Sequence, residues 1–193
     1  MKQILPILTL TTLTAAAFAD AGAAAPAAAA SGLNYNRVSI SRSSDSTNFA
    51  VSNLLNGGNV LVTIASGSNG EGISGSNTNA EQIAVFSVGY VFKNVAAGID
   101  ATVSVGGSTK GSNSGSQSGY GVNLRRSLSE VVPGLEAALA YGHSKSGNND
   151  SYTTMSYELS YNINKQFSVA YGIVDPNGAG NSNIHIASLR YNY

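Results

Sequence analysis

Five charged residues could form an interacting cluster, because each lies in a stretch where polar and apolar side chains alternate. In such stretches, residues two positions apart share a face. The five residues fall on the polar faces, opposite apolar neighbours, and they include both acidic and basic side chains. In a narrow enclosed space, ions lack water and opposite charges should pair. We therefore predict a salt-bridged cluster that fills an interior, with a gate or selectivity ring as the alternative; its members are Asp100, Arg125, Glu136, Glu158 and Arg190.

A second group of residues has the side chains of a hydrolase. His143 and Ser144 are followed by Asp150, and a histidine, a hydroxyl and a carboxylate can together perform nucleophilic catalysis. No serine of the chain stands in a G-x-S-x-G elbow, however, and nothing in the spacing fixes a geometry. We predict that the chain has no catalytic residues and is not an enzyme.

Cofactor and metal sites also lack support. The GGSTKG segment, Gly106–Gly111, has the composition of a phosphate-binding loop, but it lacks the required Lys-Ser/Thr spacing and a following helix. Glu71 stands alone in a polar segment and is a poor ligand for a cation. We expect neither a cofactor nor a bound metal.

The composition narrows the functional class further. The 193 residues contain 10 Lys+Arg and 10 Asp+Glu, so no basic excess indicates a nucleic-acid partner. Cysteine is absent, which excludes disulfides and thiolate metal sites. Glycine and tyrosine are abundant, a composition that fits strands bearing aromatic belts and joined by polar loops. The sequence carries no signal for an oligomeric state.

The first 32 residues indicate export. Met1–Ala19 has a positive residue, Lys2, followed by an apolar stretch and small residues before Asp20. Its apolar core of roughly 15 residues is shorter than the ~20 of a membrane-spanning helix. We therefore predict a cleaved signal peptide at 1–19, an alanine-rich low-complexity tether at 20–32 and a folded domain at 33–193.

From Leu33 onward, blocks of about ten residues alternate with period two between apolar and polar side chains. The blocks predict ten strands, or eight if the first three are misassigned, joined by strictly alternating short turns and long loops. The first block, 33–42, is irregular because Leu33 and Tyr35 oppose Val38 and Ile40 in parity. This irregularity predicts a bulge or a register shift.

Polar segments between the blocks predict the connections. Short turns are expected at 56–58, where Asn56, Gly57 and Gly58 provide positive-φ residues, and at 93–94, 133–134 and 164–165. Long loops are expected at 66–80, 107–118, 145–150 and from Asp175 onward.

The final stretch, Ile184–Tyr193, places Ala187, Leu189, Tyr191 and Tyr193 on one face. Alternating hydrophobes that end on an aromatic residue resemble the C-terminal signal strand of bacterial outer-membrane β-barrels. The whole pattern from Leu33 resembles the small barrels of the OmpA, OmpX and opacity-protein type. The resemblance implies an all-β fold: a closed, antiparallel, up-and-down transmembrane β-barrel.

The same resemblance implies a location and partners. The protein would lie in the cell outer membrane, with lipid around it, and the barrel-assembly machinery would act through the C-terminal strand. The aromatic residues of the apolar faces would point into lipid: Phe86, Tyr90, Phe92, Tyr157, Tyr161, Phe167, Tyr171, Tyr191 and Tyr193.

Three functional hypotheses follow. The first is a structural or surface-interaction barrel whose interior is plugged by salt-bridged charges. The second is a small porin-like channel for ions or solutes. The third is a soluble exported all-β binding protein, in which the two faces of every strand would be exchanged.

Overall fold

The computed structural model describes residues 32–44, 46–69, 81–109, 117–146, 151–177 and 183–193, and these form ten strands. Their bounds are β1 Arg37–Arg42, β2 Ser46–Leu54, β3 Val60–Asn69, β4 Glu81–Ala96, β5 Ile99–Thr109, β6 Gln117–Ser127, β7 Leu135–Ser146, β8 Ser151–Asn162, β9 Phe167–Asn177 and β10 Ile184–Asn192. Of the predicted signal peptide and tether, only Gly32 lies within the described residues.

The strands close into a barrel in which each pairs antiparallel with its neighbours in sequence, and β1 also pairs with β10. The closing register runs from Arg37 opposite Asn192 to Arg42 opposite Ala187. Closure leaves no strand edge unpaired, which a sheet surrounded by hydrocarbon requires. The prediction of a closed antiparallel barrel with ten strands is confirmed.

The two faces of most strands differ in polarity, although a few aliphatic side chains, among them Val91, Val174 and Ile186, are buried on the inward face. Small and polar side chains point inward, as Ala50, Thr63 and Ser87 do at 3 % exposure each. Large apolar side chains point outward, as Phe86 does at 56 % exposure. Because successive residues of a strand point to opposite faces, the alternation of polar and apolar residues places the polar side chains inside and the apolar ones outside.

One end of the barrel, termed here the turn end, carries the connections between β2 and β3, β4 and β5, β6 and β7, and β8 and β9. Asn36, which directly precedes β1, and Tyr193, which follows β10, lie at the same end, since Arg37 pairs with Asn192 and the Tyr193 backbone N–H donates to the Asn36 backbone oxygen. The opposite end is termed the loop end. Among the described residues, no helix is long and apolar enough to cross a membrane.

The predicted irregularity of the first block is wrong. β1 begins only at Arg37, and its pairing with β2 and β10 runs without a break in register. Leu33 and Tyr35 differ in parity from the outward residues because they precede the strand. A register shift occurs instead between Phe92 and Ala96 of β4.

The turn predicted at 93–94 is also wrong, because β4 continues to Ala96 and the chain reverses at Ala97 and Gly98. Asn94 does adopt a positive φ of 52°, but it stabilises the reversal that follows. Its side-chain oxygen accepts a hydrogen bond from the backbone N–H of Gly98 at 2.9 Å. At the turn predicted for 56–58, Asn56 and Gly57 have positive φ, whereas Gly58 has a φ of −81°.

The strands at the loop end are longer than predicted. Residues from the predicted loops, rich in serine and glycine in β3 and β5, continue β3 to Asn69, β5 to Thr109, β7 to Ser146 and β9 to Asn177. Polar composition does not end a strand where a neighbour still offers backbone partners. The connection between β1 and β2 spans only 43–45, so long and short connections do not alternate strictly. The remaining loop residues, 70–80, 110–116, 147–150 and 178–182, lie outside the described residues.

Candidate functional site

The five charged residues predicted to form a cluster lie on inward faces in the turn half of the barrel. Asp100, Arg125, Glu136 and Arg190 are at most 7 % exposed, and the side chain of Glu158 is 14 % exposed. Asp100 and Arg125 stand opposite each other on β5 and β6. The alternation of each strand fixes the inward direction, and the position of each residue near its strand end fixes the depth.

The first ion pair joins adjacent strands. Arg125 Nη2 of β6 donates to Glu136 Oε2 of β7 at 2.8 Å. Glu136 Oε1 accepts a second hydrogen bond from Asn162 Nδ2 at 2.8 Å. Both carboxylate oxygens therefore have partners, which a buried ion pair needs to offset the loss of hydration.

The second ion pair reaches across a strand. Arg190 Nη2 of β10 donates to Glu158 Oε2 of β8 at 2.5 Å, and β9 lies between these two strands. The residue of β9 opposite Glu158 is Gly172. A Cβ at Gly172 would lie 3.8 Å from Glu158 Cβ and 3.2 Å from the backbone oxygen of Tyr157. The missing side chain gives Glu158 room to pass over β9.

Tyr35 also contacts this cluster, although it was not among the residues predicted to form it. Its hydroxyl donates to Asp100 Oδ2 at 2.8 Å, and the guanidinium of Arg125 lies 4.7 Å from the centre of its ring. Burial raises the pKa of the Tyr35 hydroxyl above its ordinary value, so the group remains a proton donor. The only signal in the sequence was the position of Tyr35, an odd-numbered residue like the inward Ser39 and Ser41 of β1, whereas the apolar Val38 and Ile40 are even-numbered.

Arg37 is the other residue that sequence reasoning missed. It shares the inward parity of Ser39 and Ser41 on β1 and lines a small polar cavity with Asn123, Arg125 and Glu158. The cavity volume is about 10 Å³, room for about one water molecule. Within the described part of the chain, Arg37 Nε and Asn123 Oδ1 are buried without a hydrogen-bond partner.

The two hydrolase-like residues that the structure describes, His143 and Ser144, point to opposite faces of β7. His143 lies on the outward face of β7, with its ring centre 5.2 Å from that of Tyr120. Ser144 is the next residue on the same strand and therefore points inward. Asp150 lies outside the described residues.

The segments weighed for cofactors and metals are described only in part. Of the glycine-rich segment at 106–111, residues 106–109 belong to β5, and Gly106 and Gly107 pair with β6, so they form no phosphate loop. Residues 110–111 and Glu71 lie outside the described ranges. Within those ranges, no three His, Cys, Asp or Glu side chains are grouped to hold a metal.

The aromatic residues assigned to the apolar faces lie on the outer surface. Eight of the nine are exposed, whereas Tyr90 is partly covered and its hydroxyl accepts a hydrogen bond from Asn59 Nδ2 at 3.2 Å. Two pairs are in ring contact: Tyr90 with Phe92, at 4.8 Å between ring centres, and Phe167 with Tyr191, at 5.4 Å. Both pairs lie in the turn half, where they form part of an outer aromatic belt.

Comparison with known proteins identifies the fold. No protein-family model matches the sequence, and no curated protein matches it. A structure of KdgM porin is similar with a TM-score of 0.52 and 10% sequence identity, covering 81% of this chain and 98% of that chain. At this identity the likeness concerns the fold alone. Together with the closed barrel of ten strands, it shows that the chain has the fold of a small outer-membrane β-barrel.

Two further structures are similar at lower scores. A porin refined at 1.8 Å resolution has a TM-score of 0.36 and 10% identity, and the match covers 77% of this chain and 51% of that chain. The N-terminal β-barrel domain of Pseudomonas aeruginosa OprF also has a TM-score of 0.36 and 10% identity, with 83% of this chain and 100% of that chain covered.

Proposed function

We propose that this chain is an integral outer-membrane β-barrel with a structural or surface-interaction role, and that salt-bridged charges close its interior. In this proposal, residues 1–19 are a signal peptide that is removed on export, and the barrel performs no catalysis. Lipid surrounds the outer face, and the barrel-assembly machinery engages β10.

The chemistry of the outer face supports the membrane location. Ile64, Phe86 and Leu159 are more than half exposed there, at 62 %, 56 % and 55 %. Soluble proteins rarely expose continuous apolar surfaces of this kind, whereas hydrocarbon covers them without cost. A soluble binding protein with the two faces exchanged would instead need its charges outside and its aromatic residues inside.

The observation that carries the proposal of a closed interior is the burial of small inward side chains. Ala65 is 2 % exposed and Ser104 is fully buried. Side chains this short would be bathed in solvent if a wide water-filled bore ran past them. The long charged side chains occupy the turn half of the same space and pair with one another.

Planar-bilayer recording of the purified, reconstituted protein tests this proposal. We expect no steady conductance steps, because ions must cross a region where the charges neutralise each other and leave little water. Stable unitary steps from the unmodified protein would contradict the closed interior. Glu130→Gln is the control for a change of charge alone, because it removes the carboxylate of the Arg126–Glu130 pair, whose side chains are 44 % and 52 % exposed, and should leave the protein without steady steps.

The small porin-like channel is the second candidate. The observation in its favour is the polar cavity beside Arg37 and Asn123, whose unpaired buried atoms suit contact with water. This candidate predicts steady steps in the same recording. It also predicts that Glu158→Gln changes the ion selectivity of those steps, because Glu158 lines the cavity.

A further inference from the structure

The residues Asn34, Tyr35 and Asn36, termed here the strap, precede β1 and contact two opposite walls of the barrel. Going around the ring in either direction, β6 is five strands from β1, so these two strands face each other across the bore. The strap adjoins β1 and β2 on one side and contacts β5 and β6 on the other. It therefore crosses the bore at the turn end.

The near-wall contacts join the strap to β2. Ser52 Oγ donates to the backbone oxygen of Tyr35 at 2.8 Å, and the backbone N–H of Leu54 donates to Asn36 Oδ1 at 2.7 Å. These bonds hold the backbone of the strap beside the strand from which it would otherwise diverge into solvent.

The far-wall contacts join the strap to two of the charged residues. Arg125 Nη1 donates to the backbone oxygen of Asn34 at 3.0 Å. The Tyr35 hydroxyl binds Asp100, and the Tyr35 ring packs against the Arg125 guanidinium. Tyr35 is only 5 % exposed, so its ring fills space inside the bore.

The ion pairs, by contrast, do not cross the bore. Arg125 and Glu136 belong to adjacent strands, and Arg190 and Glu158 are separated by one strand. Both pairs thus follow the wall. The contacts of the strap with Arg125 connect opposite walls, and Arg37 of β1 faces the same far wall across the small cavity.

We infer that the strap is a releasable closure of the turn-end mouth, with Tyr35 as its central residue; this inference rests on the proposed closed interior. Asp100 and Arg125 serve as its far-wall anchors. The strap precedes β1, so it can leave the bore while the ten strands stay paired. Its departure removes the part of the closure that spans the bore and leaves the ion pairs, which narrow the bore along its wall.

Planar-bilayer recording of Tyr35→Ala, compared with the unmodified protein, tests this inference. Removing the hydroxyl and the ring abolishes a hydrogen bond and a cation–π contact, so steady conductance steps should appear, with a time-averaged conductance about tenfold or more above the background recorded with the unmodified protein. Tyr35→Phe keeps the ring and should give a smaller rise. Tyr120→Ala is the matched control, because Tyr120 lies on the outer face of β6 at 56 % exposure, and it should leave the conductance unchanged.

The outcomes separate the inference from the proposed function. If neither the unmodified protein nor Tyr35→Ala shows conductance steps, the strap is not the closure. If Glu136→Gln then conducts, the charge cluster closes the bore without the strap. If the unmodified protein already conducts, the closed interior is wrong, and an equal conductance in Tyr35→Ala also overturns the strap. If Tyr35→Ala does not show the altered migration of a folded barrel on an unboiled gel, its conductance is not used and Tyr35→Phe provides the test. A conductance of Tyr35→Phe equal to that of the unmodified protein then overturns the inference.

Discussion

Arg125 is the residue on which most interior contacts converge. Its guanidinium binds Glu136, the backbone oxygen of Asn34 and the face of Tyr35 at once. A planar group with several fixed donors suits this role better than the point charge of a lysine. The stability of the turn half should therefore depend on the partners of Arg125.

Replacing Glu136 with glutamine should lower the free energy of unfolding by about 3 kcal/mol, because the buried Arg125 then lacks its counter-charge. Urea unfolding in lipid vesicles measures the change. Glu130→Gln removes the carboxylate of an exposed pair, and it should change the free energy of unfolding by less than about 1 kcal/mol. Equal effects of the two variants would show that the interior pair has no special role.

Replacing Gly172 with valine should also destabilise the barrel, by about 1–3 kcal/mol, because the new side chain occupies the space through which Glu158 reaches Arg190. Urea unfolding again provides the measurement, and Ile173→Val on the same strand is the control. In a Glu158→Gln background the loss should be smaller, since the two residues share one contact. If the free-energy losses of the two substitutions simply add, the side chain of Glu158 does not depend on the space above Gly172.

At the scale of elements, β10 closes the barrel by pairing with both β1 and β9. Its outward residue Leu189 stands opposite Ile40 and Val169, and all three are exposed. This arrangement places an apolar patch at mid-strand, where the bilayer would be most hydrophobic.

Replacing Leu189 with arginine should cost about 2–4 kcal/mol in lipid vesicles, as expected for a charge near the middle of a bilayer. Urea unfolding measures this cost. His185→Arg, on the same face but near the loop end of β10, should cost about 0–1 kcal/mol. A soluble protein would tolerate both changes, so a neutral Leu189→Arg would contradict the membrane assignment.

Element boundaries show where sequence reasoning stops. The alternation of Met155, Tyr157, Leu159 and Tyr161 located β8 correctly, because a period of two is a direct consequence of strand geometry. The end of β4 was misplaced, because Asn94 has a positive φ without reversing the chain. A residue's φ preference is local, whereas the reversal depends on which neighbouring residues pair.

At the scale of the whole molecule, the ring order of the strands decides which charges can meet. The closed barrel also makes the molecule a rigid unit whose polar backbone groups are paired throughout the ladder. Such barrels remain folded in mild detergent, because opening the ring exposes two unpaired edges at once.

The purified protein should therefore migrate differently on gels before and after boiling, and it should fractionate with outer membranes. A soluble exported protein would appear in the periplasmic fraction and show no heat-dependent shift. Leu189→Arg should convert from the folded to the unfolded gel position at a lower temperature than the unmodified protein, because the substitution destabilises the barrel.

The sequence alone determined which side chains of a strand share a face, because side-chain direction in a strand follows position and needs no knowledge of neighbours. It left ten or eight strands open, and the closed ring decided for ten. Tertiary structure alone decided the partners. Tyr35 meets Asp100 across 65 positions of sequence, and Arg190 meets Glu158 across 32. These contacts depend on strand order, register and the reach of side chains across the bore, none of which any single strand encodes.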